Sequence, residues 1–240
     1  MKKYSLIFVL FLCGIFYMAH GYEVTEVKNG GVISGRVCYS GKEAHDSLVK
    51  VGTHSEYCGE QVELGRLRVG TDSGVQWATV MITWIEKGKC FDSIHIPLVH
   101  NIDCRFEPRV SLIQSHTPIK IMNGDKIPHR AHFALIKDSG QTKDLMSIAV
   151  PWAEMNLGVS RMLGHTGLVG IYGIVHPFER GWIWMMAHPY GEVTDKNGKF
   201  SMKDVPPGIY KLRVWHEYLG EQTVTVIVRA GDVSDVTVIY

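Results

Sequence analysis

The chain has no C-x-x-C pair and no C-x-x-C-H, which sets aside thioredoxin-type redox chemistry and c-type haem attachment. It has no G-x-S-x-G, no H-E-x-x-H, no Walker loop and no G-x-G-x-x-G opening a helix, so the common hydrolase, metalloprotease and nucleotide sites have no footing. After the first twenty residues no apolar run is long enough to cross a bilayer. An excess of one charge is missing too: 25 Lys and Arg face 24 Asp and Glu, a net charge of +1. Neither nucleic acid nor an anionic membrane surface is expected as a partner of so balanced a chain. Helical periodicity is scarce. Only Pro151 to Leu163 reads as a helix, shortened by Pro151 and Gly158. There is no internal repeat and no low-complexity segment.

What is present begins with an export signal. Lys2 and Lys3 precede an apolar run from Leu6 to Met18, and Ala19-His20-Gly21 offers small residues for cleavage. The expectation is a signal peptide over residues 1–21 and a mature chain from about Tyr22, periplasmic or extracellular, with no integral membrane span. Four cysteines then remain: Cys38, Cys58, Cys90 and Cys104. An even number in an exported protein favours disulfides, with three pairings open.

The rest reads as all-β. Gly31 to Cys38, Trp77 to Trp84, Val110 to Met122, His132 to Ile136, Leu168 to Val175, Trp182 to Met186, Lys211 to Trp215, Gln222 to Val228 and Val233 to Ile239 have strand character. Turn signals separate them: Asn29-Gly30-Gly31, Asn123-Gly124-Asp125, Asp195 to Gly198, Pro206-Pro207-Gly208 and Ala230-Gly231-Asp232. Many short strands with frequent turns imply sandwiches or barrels. Trp182, Trp184 and Met186 alternate onto one face and Ile183 and Met185 onto the other, a pattern of core or of packing between two units.

The run from Val193 to Val214 carries a tight turn at Asp195–Gly198, a second at Pro206–Gly208, and Tyr210, Leu212 and Val214 alternating onto one face. It resembles the carboxypeptidase regulatory-like, or transthyretin-like, sandwich family, and Gly31-Val-Ile-Ser-Gly-Arg-Val37 resembles that family's first strand. The resemblance implies a sandwich completed from both ends of the chain, with the centre inserted. In that centre, Cys104 to Val110, Asn123-Gly-Asp-Lys-Ile-Pro-His129 and Gly167 to Pro177 resemble a plastocyanin-like cupredoxin. The implied fold is a cupredoxin-like Greek-key sandwich joined to a transthyretin-like β-sandwich. The implied division is an N-terminal β region over 22–98 that includes the first part of the second sandwich, a cupredoxin-like domain over 99–188, and a transthyretin-like module over 189–240.

The cupredoxin resemblance assigns the first histidine ligand to His129 and the second to His176. The cysteine position falls on Gly173 and the methionine position on Glu179. A blue-copper site needs the thiolate, so type 1 copper is not expected. His129, His176 and Glu179 remain as a two-histidine, one-carboxylate set suited to copper(II), zinc or iron(II). His132 is a further candidate, although strand alternation turns it away from His129, and His165 and His188 flank the region. The same resemblance places Cys58 and Cys104 in recurring motifs, which favours Cys58–Cys104 and leaves Cys38–Cys90.

The function expected is an exported, non-enzymatic binding or accessory β protein, whose partner is an exported protein or a saccharide. The first alternative is a metal-binding protein, for copper or another divalent ion, linked to electron transfer. The second is a carbohydrate-binding module, with Trp182, Trp184 and Trp215 as an aromatic platform if they face solvent.

Overall fold

A computed structural model describes residues 21–42, 47–92, 96–159 and 164–240. The segment expected to be a signal peptide lies, up to His20, outside these residues. Among the described residues, no helix is long and apolar enough to cross a membrane.

The described chain is a set of β-sheets, arranged as two sandwiches. The inner one is built from contiguous chain. One sheet orders the strands Thr142–Val150, His129–Ile136, Gly167–Gly173, Arg180–Met186 and Val110–Gln114; the other orders Asn156–Val159, Ile119–Asn123, Leu98–Ile102 and Arg105–Glu107. Their inner faces close over a core that includes Phe106, Ile119, Ile121, Phe133, Val169, Ile171, Ile183 and Met185. These residues recur at every second position along their strands, the spacing that puts side chains on one face of a pleated sheet.

The outer sandwich takes strands from both ends of the chain. Gly31–Cys38 lies between Lys199–Val205 and Val233–Ile239, antiparallel to the first and parallel to the second. Thr79–Ile82 lies between Gly191–Val193 and Gly208–His216, which pairs in turn with Gly220–Val228. Ile33, Val37, Val80, Ile82, Leu212 and Val214 meet in its core. The Asp195–Gly198 turn forms as its residues demand. Gly198 sits at φ +74°, where an added Cβ would lie 2.3 Å from the Val37 carbonyl oxygen, and the Asp195 carboxylate accepts the Asn197 and Lys199 amides.

Three expectations change. Val110 to Met122 is two strands in different sheets, because the turn at Ser115–Pro118 carries the chain across the sandwich. Pro151 to Leu163 is no helix where it is described. Asn156–Val159 is an edge strand whose backbone bonds to Ile119–Met122, so the ladder outweighs a weak helical tendency already broken by Pro151 and Gly158. The second disulfide is absent. Cys58–Cys104 is formed, whereas Cys38 and Cys90 are free thiols. Cys38 is held in the ladder opposite Ile239 and by a bridge to Gly74, and Cys90 follows the separate strand Lys87–Gly88. Alkylation of the folded mature protein should therefore label Cys90 quickly and Cys38 slowly, and non-reducing peptide mapping should recover the Cys58–Cys104 pair. A Cys38–Cys90 peptide would contradict this arrangement.

The two sandwiches meet over Met81, Leu168, Trp184 and Met186, with Leu112, Ile136, Trp182 and Trp215 packed against them. Arg109, at the end of the inner sandwich, makes a two-pronged ion pair with Glu217 of the outer one. Both side chains are at least nine-tenths buried.

Candidate metal centre

His129 opens a strand of the inner sandwich, while His176 and Glu179 sit on the connection between Gly167–Gly173 and Arg180–Met186. That connection is short and tied: the Gly173 amide donates to the Glu179 carbonyl at 3.1 Å, the Glu179 amide to the His176 carbonyl at 3.0 Å, and the Ile174 amide to the Arg130 carbonyl at 2.8 Å. It swings His176 and Glu179 back over the end of the sheet onto His129. All three residues are buried, with 2% exposure or less.

Their donor atoms converge. One ligand atom from each of the three lies within 4.8 Å of the other two. Glu179 Oε1 is 2.8 Å from His129 Nδ1 and 3.3 Å from His176 Nδ1. None of these three atoms has a partner in hydrogen-bonding geometry. The outer nitrogens explain why. His129 Nε2 lies 2.9 Å from Asp125 Oδ2; a neutral imidazole that donates there presents Nδ1 as a lone pair. His176 Nε2 faces His54 Nδ1 at 3.1 Å. Three potential metal donors, two imidazole nitrogens and a carboxylate oxygen, thus converge at one buried point. Bonds of about 2 Å to one ion would set such donor atoms about 3 Å apart, and Glu179 Oε1 stands 2.8 and 3.3 Å from the two imidazole nitrogens.

Burial by itself raises the Glu179 carboxyl pKa, but His129 and His176 outweigh that and hold it below the usual carboxylate range. Asn101 Nδ2 donates to Glu179 Oε2 at 3.4 Å. Asp125 is fixed in turn: its carboxylate accepts the amides of Asp103 and Cys104 at 2.8 and 3.0 Å and the Tyr57 hydroxyl at 3.3 Å. The Asn123 side chain braces the same loop, accepting the Asp125 amide and donating to the Ile127 and Val150 carbonyls.

Gly173 borders this cluster. A Cβ there would stand 2.4 Å from the His176 carbonyl oxygen, 2.6 Å from Glu179 Oε2 and 2.9 Å from Glu179 Cβ. The space a side chain at 173 would enter is filled by the Glu179 carboxylate. A type 1 copper ion does not fit this donor set, which has no sulfur. Gly173→Ala should cost roughly 1–3 kcal/mol by overpacking and should loosen the connection that carries His176 and Glu179. A thermal melt as stable as wild type would contradict the crowding described.

Other candidates fall elsewhere. His132 turns outward, as alternation requires, and contacts Asp144 on the neighbouring strand at 3.1 Å. His165 is exposed. His188 is buried in a different place, where its Nδ1 accepts the Tyr190 amide and burial lowers its pKa. The tryptophans do not form an open platform. Trp215 meets Trp182 and Trp184 edge to face, with ring centres 5.4 and 5.9 Å apart, and Trp184 is buried. They are the apolar seam between the sandwiches. A cleft of about 770 Å³ opens beside the centre, lined by His176, Phe178, Arg180, Trp182, Lys50 and Arg66 among others.

Two contributors were not foreseen: His54 and Asp125. Asp125 stands in the Asn123–Asp125 turn, whose carboxylate four residues before His129 was the available signal. His54 is 122 residues from the histidine it touches and carries no sequence signal of that contact.

No protein-family model matches this chain, and no curated protein matches it. Among solved structures it is similar to a purple cupredoxin from Nitrosopumilus maritimus, at 15% identity and a TM-score of 0.31, covering 38% of this chain and 99% of that one. It is also similar to amicyanin from Paracoccus versutus, at 16% identity and a TM-score of 0.31, covering 45% and 97%. A third is a copper-containing nitrite reductase from Thermus scotoductus, at 16% identity and a TM-score of 0.30, covering 38% of this chain and 22% of that one.

Proposed function

We propose that this chain is an exported, non-catalytic metal-binding β protein whose inner, cupredoxin-like sandwich holds one divalent ion without a thiolate. His129 Nδ1, His176 Nδ1 and Glu179 Oε1 would bind it, and Asp125 would orient the first imidazole. The observation that carries this reading is the convergence of three buried donor atoms that lack hydrogen-bond partners while the outer ring nitrogens are engaged. Two imidazoles and a carboxylate suit zinc and copper(II). Burial of all three donors favours retention of the ion over turnover of a substrate, since structural sites are closed and catalytic ones keep an open position. Glu179 stands where the resemblance puts the axial methionine and fills the room of the missing thiol, so the ancestral cavity is reused with oxygen in place of sulfur.

The test is titration of metal-free protein with zinc or copper(II). The expected result is one tightly held ion per chain and, with copper(II), no intense visible thiolate-to-copper band. His129→Ala and Glu179→Ala should each abolish tight binding. Failure to take up either ion, or equal uptake by these variants, would overturn the reading.

A further inference from the structure

The segment from Gly52 to Gly59 lies over the candidate centre, and three of its residues reach that centre's surroundings. His54 Nδ1 meets His176 Nε2 at 3.1 Å, the Tyr57 hydroxyl donates to Asp125 Oδ1 at 3.3 Å, and Cys58 is joined to Cys104. Cys104 is not a remote anchor. Its own amide donates to Asp125 Oδ2 at 3.0 Å, and that same oxygen faces His129 Nε2. One disulfide therefore ties together the groups behind both imidazoles: through Cys58 the segment that carries His54, and through Cys104 the backbone that fixes Asp125.

His54 adopts a left-handed backbone, φ 59° and ψ 36°, ahead of the single helical turn Ser55–Cys58. A residue with a Cβ is rarely found there, and when it is, the surroundings usually enforce it. It makes no side-chain cap to the turn it precedes. Its ring is spent on His176 instead.

Resting on the metal reading above, we propose that His54 is a positioning residue of the metal centre and that the Cys58–Cys104 disulfide holds it in place, so that the redox state of this disulfide governs how tightly the ion is retained. His54 Nδ1 accepts the His176 Nε2 proton, which fixes the tautomer that presents His176 Nδ1 to the ion. Outer partners of this kind typically change metal affinity 10–100-fold. Reduction needs an external dithiol, such as an exported thiol oxidoreductase. Its thiolate attacks Sγ of Cys58, the less buried of the two cysteines, and Cys104 leaves as a thiolate that takes up a proton. The second thiol of the reductant then displaces Cys58 and closes its own disulfide. Two electrons and two protons pass to the protein, giving two cysteine thiols. The Gly52–Gly59 segment is then held only by its non-covalent contacts, and His54 and Tyr57 are free to leave.

The experiment compares four full-length proteins: wild type, His54→Ala, His54→Gln and the double variant Cys58→Ser/Cys104→Ser. Zinc affinity is read by competition with a chelator, and the copper(II) complex by its paramagnetic resonance spectrum. His54→Ala should bind zinc 10–100-fold more weakly and show an altered copper spectrum. His54→Gln, whose side-chain oxygen can accept the same proton, should recover most of both. The double cysteine variant and dithiol-treated wild type should match His54→Ala, and adding His54→Ala to the double variant should bring little further loss. His54→Ala with wild-type affinity and spectrum would overturn the role of His54. A double cysteine variant that melts earlier yet binds zinc as wild type does would reduce the disulfide to a structural staple. If wild type binds neither ion, the metal reading itself fails, a result distinct from both.

Discussion

Arg109→Met should lower the stability of the folded protein by about 3–5 kcal/mol, the range for breaking a buried ion pair from one side. Arg109 and Glu217 face each other with two parallel contacts, and their side chains are only 7% and 5% exposed. Losing the guanidinium leaves the Glu217 carboxylate, only 5% exposed, charged and without its partner, or forces it to take a proton; both cost free energy. The Arg109 guanidinium also stands 5.6 Å from the centre of the Trp77 ring, so its packing is lost as well. For a chain of this size, such a loss lowers the melting temperature by roughly 10 °C. Arg109→Met/Glu217→Leu should recover much of it, because apolar replacement of both partners removes the stranded charge. Denaturant midpoints for the two single variants and the double variant measure this. A single variant within 1 kcal/mol of wild type would show that the pair does not bind the sandwiches together.

The second large effect is an acid one, and it lies next to that pair. His216 is 1% exposed, and its pKa falls to about 4, first because burial disfavours the cation and further because Arg109 is near; a contact with the Gln76 backbone opposes this. Its Nδ1 faces the amides of Tyr218 and Leu219 at 3.3 and 3.4 Å, as an acceptor. The unfolded chain takes up a proton near the ordinary histidine value of 6.5, whereas the folded chain holds out until about 4. Between these values the unfolded state binds more protons, so stability falls as pH falls. The full loss from this one residue is about 3 kcal/mol, reached below pH 4. Melts from pH 7.5 to 4 should show this decline, and His216→Gln should flatten it. An unchanged slope in His216→Gln would assign the acid sensitivity to other groups.

The parts of the centre that could be read in advance were the local ones. His129, His176 and Glu179 followed from the order of residues in two loops, and the short tied connection through Gly173 brings two of them together within seven residues. Partnership across the chain left no such mark. His54 reaches His176, 122 residues away, from the chain between two strands of the outer sandwich, Gly31–Cys38 and Thr79–Ile82. Turns were legible because Gly, Pro, Asn and Asp act on their own backbone. The Val110–Met122 stretch was not split in advance because Ser115 to Pro118 carries only a weak turn signal beside a strong apolar pattern. Gly173, at the position the resemblance gives to a cysteine, has no side chain to offer a metal. Its φ is not in the left-handed range, and what keeps a side chain out is the His176 carbonyl and the Glu179 carboxylate.

The parallel pairing of Gly31–Cys38 with Val233–Ile239 sets an order of folding. The inner sandwich draws all its strands from residues 98–186 and can close as soon as that stretch is available. The outer one cannot begin its three-stranded sheet until nearly the whole chain has emerged, so its first strand waits with its edges unpaired while the inner sandwich forms. Closing so long a loop is slow when the intervening chain is unfolded. Once the inner sandwich is compact, it brings its own two ends together and shortens the loop that the outer sandwich has to close. Refolding should then show the inner-sandwich strands protected from hydrogen exchange before the strands at either end of the chain.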